Sequence, residues 1–180
     1  MKKKTIQLID FFRTGHLGPI HLGMSLQEVV VQLGAPTEQY QLKNGFLLAY
    51  GGWEILFKQE KPQLAFLIQH SELLYDCTNH DEVIRFESDL LGLDTGIIQP
   101  FQHVRLHNMK DWLDQEKIAY HIERKERQPL MKLNSGIFID FLDVEPVIRV
   151  ENKEIPVTKI EKMDDFILYT IGILNERPFQ

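Results

Sequence analysis

The stretch GMSLQEVVVQLGAP, residues 23–36, contains the signals needed to begin and end a short helix. Ser25 is placed as the N-cap, and Glu28 follows three residues later, at the spacing of a capping box. The apolar side chains between Ser25 and Gly34 recur with the helical period. Gly34 favours the backbone conformation that ends helices, and Pro36 blocks continuation. Such a short helix is marginal alone in water, so other parts of the chain must cover its apolar stripe.

The residues after this helix predict an antiparallel meander. Residues 45–50 are apolar and aromatic, whereas 53–58 alternate in character, so Trp53 and Phe57 share one side of the strand. The pair Asn44-Gly45, at the start of the first of these strands, is typical of a hairpin turn. Residues 63–69 predict a further strand. The fold class is therefore α+β, with a short helix on one face of an antiparallel sheet.

A second part of the chain has the same hydrophobic pattern. An offset of 84 residues places Ile137 on Trp53 and Phe141 on Phe57. An internal repeat would determine the architecture of the whole chain, so we test the match at further positions. We predict a tandem repeat of a short helix packed on an antiparallel β-meander.

The repeat also predicts where the remaining elements of the second half lie. A second helix is expected over 106–120, with Asn108 as its N-cap. The same offset of 84 residues places 148–150 on residues 64–66 of the strand predicted at 63–69. The expected fourth strands of the two halves are 81–88 and 165–173.

The repeat divides the chain into two units and a connection. Residues 1–89 form the first α+β repeat and residues 103–180 the second. Residues 90–102 form the linker, and their Gly, Pro and Asp content is typical of a connection. Because the linker also carries several leucines and isoleucines, we expect it to pack against the two units.

Composition narrows the classes of function. The chain has 180 residues, a net charge of −6 and 43% hydrophobic residues, which is ordinary for a globular protein. Non-specific nucleic-acid binding needs clustered Lys and Arg, which an acidic chain does not favour. No apolar run approaches the roughly 20 residues of a membrane span, and the basic start has too short an apolar core for a signal peptide. We expect a cytoplasmic protein without a nucleic-acid or membrane partner.

The stretch IHLGMSLQEVVVQLGAPTEQY (20–40) followed by LLAYGGWEILF (47–57) resembles a bacterial pattern. It is similar to the helix–strand unit of the small outer-membrane-assembly lipoproteins (the BamE/SmpA type) and of beta-lactamase-inhibitor proteins. The shared motif is Gly-Met-Ser/Thr, a short helix ending in Leu-Gly-x-Pro, and strands with an aromatic residue. The matching residues here are Gly23, Met24, Ser25, Val29, Leu33, Gly34, Ala35, Pro36, Tyr50 and Trp53.

The resemblance implies a fold and a general mode of action. The inhibitor proteins are tandem duplications of a unit with a four-stranded sheet, and members of these families bind other proteins. Some bacterial proteins of this kind are expected to serve as immunity partners for toxins. The second half of this chain keeps the hydrophobic pattern, but it lacks the Gly-Met-Ser and Leu-Gly-x-Pro residues that begin and end the helix.

No spacing of residues predicts catalysis or a metal site. His103 and His107 have the i,i+4 spacing of two metal ligands, but they precede the predicted helix and lack an evident third ligand. Cys77 and His80 are close in sequence, which does not by itself provide the geometry of a nucleophile and its base. We expect no enzymatic activity, no catalytic residues, no metal and no cofactor.

The outer side of the predicted strands 53–58 and 137–142 is more apolar than solvent exposure requires. A one-sided antiparallel sheet is normally polar on this side. The candidate binding residues on it are Glu54, Leu56, Phe138, Asp140 and Leu142. This face either binds a partner or packs against another part of the chain, and both interpretations stay open here.

Three functions follow from these interpretations. The favoured one is a protein-binding protein, an inhibitor or toxin-immunity protein, that uses hydrophobic burial for affinity. Glu54 and Asp140 would add specificity for a basic partner surface. The alternative is a small-ligand binder or an enzyme whose cleft between the repeats holds Cys77, His80 and His121. The third is a homo-oligomer formed through the apolar face.

Overall fold

The computed structural model describes residues 3–71, 73, 85–98, 103–125, 128–143, 149–150, 153–154 and 159–175. These residues form helices and a mostly antiparallel sheet of eight strands, accompanied by two smaller pairs of strands. The predicted α+β fold class is therefore confirmed.

The helices are α1 (Leu8–Thr14), α2 (Leu26–Leu33) and α3 (Leu106–Gln115), with a 3-10 turn at Met163–Asp165. The strands are β1 (Lys4–Gln7), β2 (Glu38–Leu42), β3 (Gly45–Tyr50), β4 (Trp53–Lys58), β5 (Ala65–His70), β6 (Leu91–Asp94), β7 (Tyr120–Lys125), β8 (Gln128–Leu133), β9 (Ile137–Leu142), β10 (Arg149–Val150), β11 (Lys153–Glu154) and β12 (Ile167–Leu174).

The large sheet has the strand order β2-β3-β4-β5-β12-β9-β8-β7, and all its neighbouring strands are antiparallel. We use "first half" for α2 with β2–β5, and "second half" for α3 with β7–β9 and β12. Each half supplies four adjacent strands, and the fourth strands, β5 and β12, pair at the centre. β1 and β6 form a separate parallel pair, which binds the start of the chain to the segment between the halves.

Helix α2 begins and ends where the sequence predicts. The Glu28 backbone N–H donates to Ser25 Oγ at 3.3 Å, and the Ser25 backbone N–H donates to Glu28 Oε2 at 2.7 Å. The predicted capping box is therefore confirmed. The Gly34 N–H closes the last turn on the Val30 carbonyl at 2.9 Å, and Val29 on the apolar stripe is fully buried.

Helix α3 begins earlier and ends earlier than predicted. Its N-cap is Arg105, and Asn108 takes the N3 position, where its side-chain oxygen accepts from the Arg105 N–H at 3.0 Å. The helix ends at Gln115. The offset between the two N-caps, Ser25 and Arg105, is therefore 80 residues, not the 83 expected. With an offset of 80 residues, the buried Leu113 of α3 corresponds to the buried Leu33 of α2.

Strands β4 and β9 bury alternate side chains, as the sequence predicts. The buried positions are Trp53, Ile55, Phe57, Ile137, Ile139 and Phe141. The residues between them are half-buried. We call the side of the sheet that carries these six residues the inner face, and the opposite side the outer face.

The prediction of the fourth strands is partly wrong. Strand β12 lies where expected, but its counterpart in the sheet is β5. Residues 81–84 lie outside the described residues, and the described part of the predicted strand contributes an isolated bridge between Phe86 and Gly51. The region expected to match 63–69 instead supplies β10, which pairs with β11 in a small hairpin. The two connections differ in length, because 24 residues separate β9 from β12 and six separate β4 from β5.

Helix α1, which the sequence analysis does not predict, joins the two halves on the inner face. Phe11 and Phe12 are fully buried. The Phe11 ring meets Trp53 of the first half edge-on, with 5.7 Å between ring centroids, and Phe12 meets Trp112 of α3 at 5.4 Å. Both contacts belong to one continuous hydrophobic core.

Candidate functional site

All five candidate binding residues lie on the outer face. Glu54 and Leu56 are on β4, whereas Phe138, Asp140 and Leu142 are on β9, and each is half-buried. Because β5 and β12 lie between these strands, the two groups are about 14 Å apart, three times the usual strand spacing. The structure therefore places the candidates on one surface without bringing them into contact.

Phe138 packs on the neighbouring central strand. A Cβ atom added at Gly172 of β12 would lie 2.7 Å from Cζ of Phe138, so the ring covers this glycine. Aromatic side chains beside a glycine in an adjacent strand are a common means of covering its backbone. Part of the Phe138 ring is therefore internal packing.

Glu54 is fixed by two hydrogen bonds on the outer face. Its Oε2 accepts from Gln69 Nε2 at 2.8 Å and from Ser71 Oγ at 3.3 Å. These bonds hold the carboxylate in one position on β4, so any basic group that approaches this part of the face meets an oriented acceptor.

Five apolar side chains form a row across the outer face, from β2 of the first half to β12 of the second half. The register pairs Tyr40 with Leu47, Leu47 with Leu56, Leu56 with Leu67, and Leu67 with Leu174 of β12. Tyr40 is 50% exposed and Leu174 is 43% exposed, and the other three are half-buried. None of the five belongs to the hydrophobic core formed by the described residues. We call these five residues the apolar row.

One member of this row, Leu56, is predicted from the sequence. Tyr40 lies on β2, which is not among the predicted strands, although the alternation in EQYQL (38–42) is a strand signal. Leu47 and Leu67 lie in continuous apolar runs, whose two sides cannot be separated without the register. The pairing of strands is therefore what assembles the row.

The equivalent row in the second half is more polar. The register pairs Asp140 with Thr170 and with Leu130, and Leu130 with Glu123. Glu123 accepts from Lys132 Nζ at 2.9 Å and lies 3.2 Å from a histidine Nε2. The hydrogen bond from Lys132, followed by that from the histidine, lowers the pKa of Glu123. This row is therefore more polar than the apolar row.

The described histidines do not form a single cluster. The rings of His16 and His21 are 5.1 Å apart beside the start of α2. His107 on α3 has its Nδ1 2.8 Å from the Asp164 backbone oxygen. Among the residues that the structure describes, no group of three or more His, Cys, Asp and Glu side chains is placed to hold a metal ion.

Among the cavities lined by described residues, two lie beside the second half. The larger, about 410 Å³, is lined by Arg124, Asp143, Lys159, Ile160, Glu161, Met163 and Phe166. The smaller, about 330 Å³, is lined by Ile97, His103, Val104, Asn108, Asp111, Trp112 and Gln115. Neither is lined by a residue of β2–β5. Of the residues expected in a cleft between the repeats, Cys77 and His80 lie outside the described residues, and His121 lies on the edge strand β7.

No family model, curated protein or solved structure matches this chain. Among the described residues, none of the helices has the length and apolar character needed to span a bilayer.

Proposed function

We propose that the chain is a tandem duplication of one α+β unit. In the first half, two hydrogen bonds tie the start of the helix to the fourth strand. The Leu26 N–H donates to the Gln63 carbonyl at 3.1 Å, and the Ala65 N–H donates to the Met24 carbonyl at 2.8 Å. The helix is therefore hydrogen-bonded to the strand that the second half also contacts.

The second half repeats this pair of bonds. The Leu106 N–H donates to the Phe166 carbonyl at 2.8 Å, and the Leu168 N–H donates to the Val104 carbonyl at 2.8 Å. The acceptors and donors occupy the same places relative to α3 and β12 as their counterparts do relative to α2 and β5. This agreement supports copying of a single unit.

A matching irregularity in the sheet supports the same proposal. The ladder between β4 and β5 skips Phe66, and the ladder between β9 and β12 skips Tyr169. In each half, the skipped residue lies opposite the peptide that precedes a buried phenylalanine. This phenylalanine is Phe57 in the first half and Phe141 in the second. A bulge is a specific local device, so its presence at the same step favours duplication over two unrelated α+β segments.

We further propose that the protein is a non-enzymatic binding protein that docks a protein partner on its outer face. The apolar row carries this proposal, because its five side chains stay partly exposed and lie outside the described core. Contiguous apolar surface with a polar rim is typical of interaction sites. The resemblance to bacterial inhibitor proteins supports the same function, and we include in the proposal an inhibitor or toxin-immunity role in the cytoplasm.

Charge on the outer face suggests the chemistry of the partner. Glu38 and Glu54 each lie two residues along the strand from a member of the apolar row, Tyr40 on β2 and Leu56 on β4. Asp140 lies on the same face in the second half. Together with the net charge of −6, these carboxylates favour a basic partner surface. Hydrophobic contact with the row would supply affinity, and the carboxylates would supply orientation.

Comparison of two variants on the same face tests this function. Leu56→Asp places a charge within the apolar row, whereas Leu130→Asp places one beside Asp140, in the more polar row of the second half. In quantitative capture from the native cell, the partner retained by the unmodified protein should be lost with Leu56→Asp and kept with Leu130→Asp. Both variants should unfold near the unmodified temperature. Loss of folding in Leu56→Asp would show that the row is internal, and equal retention by both variants would contradict binding there.

A further inference from the structure

Within the part of the chain that the structure describes, strand β2 forms an edge of the large sheet without the usual protection. It pairs with β3 on one side, and all five of its residues are exposed. Natural edges are commonly blocked by proline, lysine or a bulge. The sequence EQYQL contains neither residue, and its ladder with β3 runs without a register shift.

The opposite edge of the sheet is different. Strand β7 carries the polar or charged side chains of His121, Glu123 and Arg124 along three of its six positions. Glu123 forms an ion pair with Lys132 of the neighbouring strand at 2.9 Å. Charged side chains of this kind oppose pairing with another strand, so the two edges have opposite properties.

The backbone of β2 presents two residues to its open side. Leu42 and Gly45 flank a two-residue hairpin loop and face each other in the ladder. In such hairpins the flanking residues form a hydrogen-bonded pair, and these pairs alternate along the strands. The N–H and C=O groups of Gln39 and Gln41 therefore point away from β3.

We propose that β2 pairs with β2 of a second copy of this chain, antiparallel and centred on Tyr40. Gln39 of each copy would form a hydrogen-bonded pair with Gln41 of the other, and the two Tyr40 residues would face each other on the twofold axis. This register pairs all five residues of β2. The two neighbouring registers that also pair outward-facing backbone groups are centred on Gln39 or Gln41. Each of these registers pairs only three residues of β2.

Charge complementarity favours this antiparallel arrangement. Glu38 stands at one end of β2, and Lys43 follows the other end in the hairpin turn. Antiparallel pairing brings each Glu38 beside Lys43 of the other copy, and it separates the two Glu38 carboxylates. The Tyr40 hydroxyl donates to Glu38 of its own chain, which holds the carboxylate along the strand.

The arrangement also extends the apolar row. Because Tyr40 is the outermost member of the row, pairing through Tyr40 joins the rows of two copies across the twofold axis. The dimer would present one continuous apolar strip over both sheets. The proposal rests on β2 alone, so it does not depend on the partner proposed above.

Cysteine cross-linking tests the register. Opposed residues of a pair without hydrogen bonds have Cα atoms about 4.5 Å apart, which suits a disulfide. In a Cys77→Ser background, Tyr40→Cys should form a disulfide-linked dimer under mild oxidation. Leu42→Cys is the matched control, because its two copies would lie roughly 14 Å apart along the strands and should not cross-link. Equal cross-linking of both variants, or of neither, would overturn the register.

Light scattering and sedimentation test the dimer itself. The unmodified protein should be dimeric at high concentration, and Gln41→Pro should make it monomeric, because proline removes an outward N–H that β3 does not use. Arg124→Pro, at an outward position of β7, should leave the dimer intact, and circular dichroism confirms that each variant is folded. Should Gln41→Pro fail to fold, Tyr40→Glu, which sets two carboxylates face to face, replaces it. A monomer at every concentration, or a dimer that survives these β2 variants, would overturn the proposal.

Discussion

At the scale of single residues, Gly45 is a position where the neighbouring backbone leaves no room for a side chain. A Cβ atom there would lie 2.1 Å from the Phe57 carbonyl oxygen of β4. The glycine of the Asn-Gly pair therefore serves the close approach of two strands, since its φ is not positive. Gly45→Ala should destabilise the fold by about 1–3 kcal/mol through overpacking. Gly92→Ala is the control, because its Cβ would meet an ordinary 3.7 Å contact. Urea unfolding measures both, and equal stability of the two variants would contradict the assigned role.

Tyr50 links α2 to the sheet and predicts a pH dependence. Its hydroxyl donates to the Gly34 carbonyl at 3.1 Å. Burial, with a smaller contribution from Asp89, raises the pKa of Tyr50 from 10.0 to about 12. The unfolded chain ionises first, so the stability from the neutral phenol is complete below pH 10 and is lost as the pH rises through about 12. Tyr50→Phe should cost about 1 kcal/mol at neutral pH, and this difference should shrink above pH 10. A difference that stays constant across this pH range would contradict the raised pKa.

At the scale of elements, the two helices should depend on equivalent side chains. Leu33 of α2 and Leu113 of α3 are both fully buried. Leu33→Ala and Leu113→Ala should each cost about 2–5 kcal/mol, since each leaves a cavity in the same core. Val31→Ala on the exposed side of α2 should change the free energy of unfolding by less than about 0.5 kcal/mol. If Leu33→Ala costs no more than Val31→Ala in denaturant titration, α2 is not held by its buried stripe.

Elements were predictable where local signals and tertiary contacts agree. The capping residues of α2 and the alternation in β4 are local, and both elements lie where the sequence places them. Asn108 has the chemistry of an N-cap, but the hydrogen bond from Leu106 to Phe166 starts α3 three residues earlier. Helix α1 ends at Gly15 in the left-handed conformation, which is a local signal, but it is short and lacks a side-chain N-cap. Contacts with two tryptophans distant in sequence hold it, and local sequence does not reveal these contacts.

The candidate site was predictable in part for the same reason. Alternation along β4 placed Leu56 on the outer face, but alternation along one strand cannot show which side chains adjoin it on the next strand. Tyr40 and Leu174 enter the apolar row through the register of β2 and β12. Phe138, equally apolar in sequence, is partly used to cover Gly172.

At the scale of the whole molecule, the two halves should unfold as one cooperative unit. β5 and β12 share a ladder that includes the pair His70 and Ile171, and Phe11 and Phe12 tie both halves to α1. Separating the halves would expose the central strand edges and part of one core, so the segments 1–89 and 103–180 produced alone should not fold. Calorimetry should give a single transition whose calorimetric and van't Hoff enthalpies agree. The Gln41→Pro variant should be measured as well, because dissociation of a dimer makes the melting temperature depend on concentration. Two resolved transitions in that variant would show that the chain is two independent units joined by a linker, and the shared core would then contribute little to the stability of either.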